Sequence, residues 1–160
     1  MEKIDNNLKN VSYEETTLES AVDKAECLDP EDDKHYDLVC CSEVIEHVND
    51  QEAFMKECIR LVRPKTGLLF VSSIAKTPEG YFFVIFMGEK VLGLLPKGTH
   101  EYDMLINAET VEKFVHQGYK EVGVPPFKTV EKTGVCLANP LTMEMKEVPT
   151  FLRANYMVMF

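Results

Sequence analysis

YDLVCCSEVIEHV, residues 36–48, decides how the rest of the chain is read. Residues 36–41 form an apolar run without alternation, the pattern of a strand buried on both faces of a sheet. The run ends at Ser42, and two carboxylates and an imidazole follow at once: Glu43, Glu46 and His47. In open α/β sheets, ligands bind just beyond the carboxyl ends of the strands. A buried strand that delivers ionisable groups at its exit is therefore a candidate site.

Outward from this stretch, strand and helix patterns alternate. Residues 16–24 carry Leu18, Ala21 and Val22 on one helical face, with Thr17 placed to cap it. A polar loop around Pro30 fills residues 28–34, and residues 10–13 make a weak strand candidate. Asp50 can cap a helix over residues 51–62 whose inward residues are Ala53, Phe54, Cys58, Leu61 and Val62; the sequence RPKTG at 63–67 stops it. Residues 68–74 read as a second buried strand. A helix over 107–116 is expected to end at Gly118, with late strands at 121–124 and 155–160 and a loop over 133–149. The sum is an α/β fold with a mostly parallel sheet.

The totals bound the function. The chain has 160 residues, enough for one domain with a real core. A net charge of −10 argues against a nucleic-acid partner, which requires a basic footprint. Five cysteines with no Cys-x-x-Cys pair disfavour a thiolate zinc site and fit a reducing compartment. The first residues, MEKIDNNLKN, are neither an apolar signal nor an Arg-rich transit sequence. No run reaches the roughly 18 apolar residues of a membrane span.

Spacing alone leaves Glu43, Glu46 and His47 open between two roles. Positions i, i+3 and i+4 share one side of a helical turn and could hold a divalent cation, with oxygen-rich ligation favouring Mg²⁺ or Mn²⁺. Glu46 and His47 could equally form a structural pair at a strand–helix junction. Ser42 could cap the following turn. His47, and His100 in the sequence PKGTH at 96–100, are candidate general bases because imidazole titrates near neutrality. Residues 81–95 are apolar and aromatic, interrupted by Glu89 and Lys90 and flanked by Lys76 and Lys97. They suit a core helix, or a lid or helix lying in a membrane interface.

Several landmarks together resemble one family. YDLV, SEV and EHV lead into a helix and then LLFV; PKGTH follows at 96–100, Asn139-Pro140 comes later, and Asn155-Tyr156-Met157 opens the last strand. In that order they resemble the ubiquinone-biosynthesis O-methyltransferases, class I S-adenosylmethionine-dependent enzymes, over roughly residues 11–160. The resemblance implies methyl transfer from S-adenosylmethionine to a hydroxyl of a polyprenylated catechol-like ring, such as a demethylubiquinol or dihydroxybenzoate precursor. It implies Mg²⁺ on Glu43, Glu46 and His47 and cofactor contact at Ser42, beside the candidate bases His47 and His100. It also implies peripheral attachment to the matrix side of the mitochondrial inner membrane, with a ubiquinone-biosynthesis complex as a candidate partner and residues 78–98 as the lid or membrane-contact insertion. Asn139-Pro140 and Asn155-Tyr156 would shape the pocket. The family's Gly-rich cofactor loop and first strands have no counterpart here, and no Gly-x-Gly occurs. The chain is thus expected to be the C-terminal two-thirds of the fold in a single domain, to bind the cofactor weakly, and alternatively to serve as a non-catalytic interaction or membrane module.

Overall fold

The computed structural model describes residues 12–26, 35–93, 96–123, 128–139, 142 and 144–160. The chain runs α1 (Leu18–Glu26), β1 (Leu38–Ser42), a 3₁₀ turn (Ile45–His47), α2 (Gln51–Leu61), β2 (Leu68–Ile74) and α3 (Pro78–Gly80). α3 continues directly into a π-helix (Tyr81–Val91). A second 3₁₀ turn (Tyr102–Met104), α4 (Ala108–Val122), β3 (Glu131–Asn139), β4 (Glu144–Val148) and β5 (Asn155–Met159) complete it.

The expected α/β class holds, but the sheet is mixed. Its order is β1-β2-β5-β3-β4. Only β1 and β2 are parallel, joined through α2 as a crossover; β5 pairs antiparallel with both β2 and β3, and β4 antiparallel with β3. The excess of antiparallel pairing comes from residues 133–149. They were expected to be a loop, yet most of them form β3 and β4, a hairpin whose first strand also pairs with β5.

Three helix boundaries follow local chemistry. Asp50 caps α2, its side chain accepting from the Ala53 N–H, and residues 64–66 form the turn that stops it. Thr17 caps α1 through the Ser20 N–H. Gly118, expected to end α4, lies inside it at the crossing with α2: a β-carbon there would come within 2.6 Å of Ile59 Cδ1. α4 stops instead at Gly123, whose φ of 78° is the left-handed C-cap conformation that glycine adopts without penalty. Residues 121 and 122 are therefore helical, not the start of a strand.

One sheet face carries the core. Cys41, Leu69, Val71, Tyr156 and Val158 are buried against Met55, Cys58 and Ile59 of α2 and Val111, Val115 and Tyr119 of α4. Val22 and Ala25 of α1 close on Leu61. Met55 and Ile59, not Ala53, are the inward residues that the sequence pattern missed; Ala53 is exposed. The second face is covered at one end only, where Ile74 packs on Ile85 of the π-helix and on Leu105. Elsewhere it is open: Leu38 is 53% exposed, and Leu68 and Met157 are also exposed. β1, expected to be buried on both faces, is an edge strand of the described sheet with one buried face.

The weak strand expected at 10–13 is not seen at residues 12 and 13. Residues 10 and 11, the loop 28–34, Cys27, Leu94, Leu95, Val124 and Pro140 lie outside the described residues.

Candidate functional site

β1 and β2 run parallel in register, so Ser42 stands beside Ser72, and both strands release their chain at the same edge. The Glu43 N–H donates to the Ser72 carbonyl at 3.0 Å, and there the ladder ends. Glu43 then adopts φ 51°, a left-handed conformation that costs a non-glycine residue about 1 kcal/mol or more. The reversal lets Ile45, wholly buried, anchor the 3₁₀ turn and drives Glu46 inward.

Successive strand residues face opposite sides of a sheet, so the two glutamates meet different serines although their carboxyls remain neighbours. Ser72 Oγ donates to Glu43 Oε1 at 3.0 Å. Ser42 Oγ lies 3.0 Å from Ser72 Oγ; because Ser72 has a single hydroxyl proton, already given to Glu43, Ser42 is the donor of that second bond. Ser73, one residue on and on the helix-covered face, donates to Glu46 Oε2 at 2.8 Å. Ser42 thus spends its hydroxyl across the strand pair, and it does not cap the 3₁₀ turn, which has no side-chain cap. Burial pushes the Glu43 carboxyl up, and the neighbouring Glu46 adds to this; its pKa rises from 4.5 to about 6 despite the Ser72 bond.

Glu46 is 2% exposed. Its Oε2 is satisfied by Ser73, but its Oε1 is buried without a partner. A buried carboxylate oxygen left unpaired costs free energy unless something fills its coordination. Near this carboxylate stand the Glu43 carboxyl and two imidazoles. One ligand atom from each of Glu46, His47 and His100 lies within 4.8 Å of the others, and the His47 and His100 rings sit 5.4 Å apart at 31°. A divalent cation fits such a set. Of the residues singled out in the sequence, Glu46, His47 and His100 come together, Glu43 stands beside Glu46 while bonded to Ser72, and Ser42 is turned to Ser72.

His100 arrives from 50 residues away, held by a residue that the sequence pattern passed over. Glu89, in the last turn of the π-helix, is 2% exposed. Its Oε2 accepts the Gly98 N–H at 2.8 Å; its Oε1 accepts the His100 N–H at 3.0 Å and lies 2.9 Å from His100 Nδ1. Burial alone would raise the Glu89 pKa, but these bonds outweigh it and hold the carboxyl below its ordinary value. Ser72, Ser73 and Gln51 were missed as well. Gln51 Nε2 donates to the Ile45 and Met104 carbonyls, at 3.1 and 2.7 Å, and ties the first 3₁₀ turn to the second. Two hydroxyls inside an apolar strand and one acid inside an apolar helix were the available signals.

The π-helix turns aromatic side chains outward: Tyr81, Phe82, Phe83 and Phe86 are exposed, with Val91 and Leu92 beyond them. Lys90 Nζ stands 5.7 Å from the Tyr81 ring centroid. Pro78, Tyr81 and Tyr102 line an open cleft of about 340 Å³. Among the described residues, no helix is long and apolar enough to cross a membrane. Tyr156 lies fully buried in the core, and burial pushes its phenol up.

Comparison with known proteins agrees with this architecture. A family profile described as a methyltransferase domain matches residues 2–71. The ubiquinone biosynthesis O-methyltransferase of Rhizobium etli is 34% identical over 150 residues, covering 94% of this chain and 53% of that protein. The protein of the same name from Acinetobacter baylyi is 36% identical, over 93% of this chain and 56% of its own length. That of Marinobacter nauticus is 35% identical, over 85% and 51%. The chain spans about half the length of these curated relatives.

Proposed function

Because this chain belongs to the class I S-adenosylmethionine-dependent methyltransferases, we propose that it methylates a hydroxyl of a lipophilic catechol-like ring in ubiquinone biosynthesis. The observation that carries the proposal is the unpartnered Oε1 of Glu46, buried beside two imidazoles at the exit of β1. Glu46 and His47 would hold a divalent cation, which would supply Lewis-acid polarisation of a ring hydroxyl. With His100 kept as the base, Glu46 and His47 offer one carboxylate and one imidazole, a mixed set that suits Mn²⁺ better than Mg²⁺. Mg²⁺ would draw on the Glu43 carboxylate as well, which Ser72 now holds.

His100 takes the proton of the ring hydroxyl. The oxygen attacks the sulfonium methyl in line: the O–C bond forms, the C–S bond breaks, and S-adenosylhomocysteine leaves. Ser42, at the strand exit, lies where the cofactor approaches. The exposed aromatics of the π-helix, with Lys90 among them, suit contact with a lipid surface that supplies a polyprenylated substrate.

A second reading, a non-catalytic interaction module, draws on the open second face of the sheet at Leu38, Leu68 and Met157. One assay separates the two. The chain is mixed with methyl-labelled S-adenosylmethionine and a dihydroxybenzoate bearing an isoprenoid tail. The enzyme reading expects label on a ring oxygen, more with the tail than without, and none after chelation. Transfer that survives chelation would overturn the metal role. No transfer, together with no calorimetric binding of S-adenosylmethionine below the millimolar range, would favour the module.

A further inference from the structure

We propose that Glu89 is the positioning residue for His100, fixing its proton on Nδ1 so that Nε2 is the nitrogen offered to the Glu46 and His47 group. The inference rests on the methyl-transfer reading for its purpose, but its support is geometric. An imidazole presents one donor and one acceptor nitrogen when neutral, and the partner of one nitrogen decides the role of the other. His100 Nδ1 lies 2.9 Å from Glu89 Oε1. A carboxylate oxygen in that position accepts, so Nδ1 carries the hydrogen and Nε2 keeps a free lone pair.

The same carboxylate also fixes where the ring stands. Oε1 accepts the backbone N–H of His100, and Oε2 accepts that of Gly98, so backbone and ring are held by a single side chain. Both ends of the contact are shielded, with the His100 side chain 7% and the Glu89 side chain 1% exposed. Water therefore competes poorly for either oxygen, and the tautomer is set by the protein. A carboxylate placed behind a histidine is the arrangement that orients imidazoles in metal and hydrolase sites. Glu89 reaches the site from the π-helix, whose aromatic side chains face outward. Helices with this hydrogen-bond pattern are rare and are found mostly at functional sites.

The alternative is that Glu89 only secures the loop at 96–100, through its two backbone bonds, and leaves the ring indifferent. The two differ in the imidazole itself. The full chain, labelled with ¹⁵N-histidine at pH 8 and free of metal and cofactor, is recorded in a long-range ¹H–¹⁵N correlation. Four histidines are to be assigned. The expected result is a single Nδ1–H tautomer for His100, with a pyridine-type Nε2. In Glu89→Ala, checked for folding by circular dichroism, His100 is expected to revert to the Nε2–H form that free imidazole prefers. An Nε2–H His100 in the unsubstituted chain would overturn the proposal, as would a folded Glu89→Ala chain with an unchanged Nδ1–H pattern. If Glu89→Ala does not fold, the unsubstituted spectrum decides alone. Failure here leaves methyl transfer untouched, and failure of the transfer assay leaves the tautomer standing, since the spectrum needs neither cofactor nor metal.

Discussion

Two regions of this molecule each bury a glutamate to 2% exposure, and they treat it differently. At the end of the π-helix, Glu89 meets three hydrogen-bond donors, and both of its oxygens are used. At the exit of β1, Glu46 meets one donor, and one oxygen is left bare. A fully bonded buried acid is part of the scaffold, since removing it strands its donors. A half-bonded one carries a cost that an incoming ligand can offset. The contrast separates what holds the site from what serves it, within a few side chains of each other.

The largest expected effect tests the scaffold half. Glu89→Ala leaves three donors, one on exposed Gly98 and two on half-buried His100, without their acceptor and should lower unfolding free energy by about 2–3 kcal/mol. Urea denaturation measures it, and a loss under about 1 kcal/mol would remove the distinction between the two acids. Ser73→Ala should cost about 1–2 kcal/mol, because it takes away the single donor of Glu46. Glu46→Gln should change stability by less than about 1 kcal/mol in metal-free buffer, since the buried acid it replaces is poorly bonded. A drop as large as that of Glu89→Ala would contradict this.

The smallest effect concerns pH. Glu43 has its pKa raised from 4.5 to about 6. Between those values the folded chain holds more protons than the unfolded one, so this group's contribution to stability falls as pH rises through that window. Glu43 as a residue is open to solvent although its carboxyl is crowded by Glu46, and solvent screening keeps the slope shallow. Glu43→Gln should flatten the stability profile from about pH 4.5 to 6 relative to the unsubstituted chain, and parallel profiles would remove Glu43 as the cause.

The legible part of the sequence was what periodicity and caps encode. β1 and β2 announced themselves as apolar runs, α2 by Asp50 and the Arg63-Pro64 stop, and the site by ionisable residues at a strand exit. Two kinds of information were out of reach. Pairing partners are non-local: β4, with Glu144, Lys146 and Glu147 among its five residues, carried no apolar run to mark it, and the short run at residues 135–138 of β3 follows the charged Glu131 and Lys132. Side-chain direction at a turn depends on a single backbone reversal: φ 51° at Glu43 replaces the helical spacing, Glu43 bonds Ser72 while staying beside Glu46, and His100 joins Glu46 and His47. Gly118 misled because a glycine can end a helix or let another helix approach, and only the crossing with Ile59 tells which.

The central claim is that the bare oxygen of Glu46 is a ligand position. Titrating the chain with Mn²⁺ and following the free ion by electron paramagnetic resonance tests it most directly. One site is expected in the unsubstituted chain, and in Glu46→Gln, folded to the same extent, binding weaker by roughly tenfold or more. Equal affinity in the two chains, or no binding to the unsubstituted one, would contradict the account.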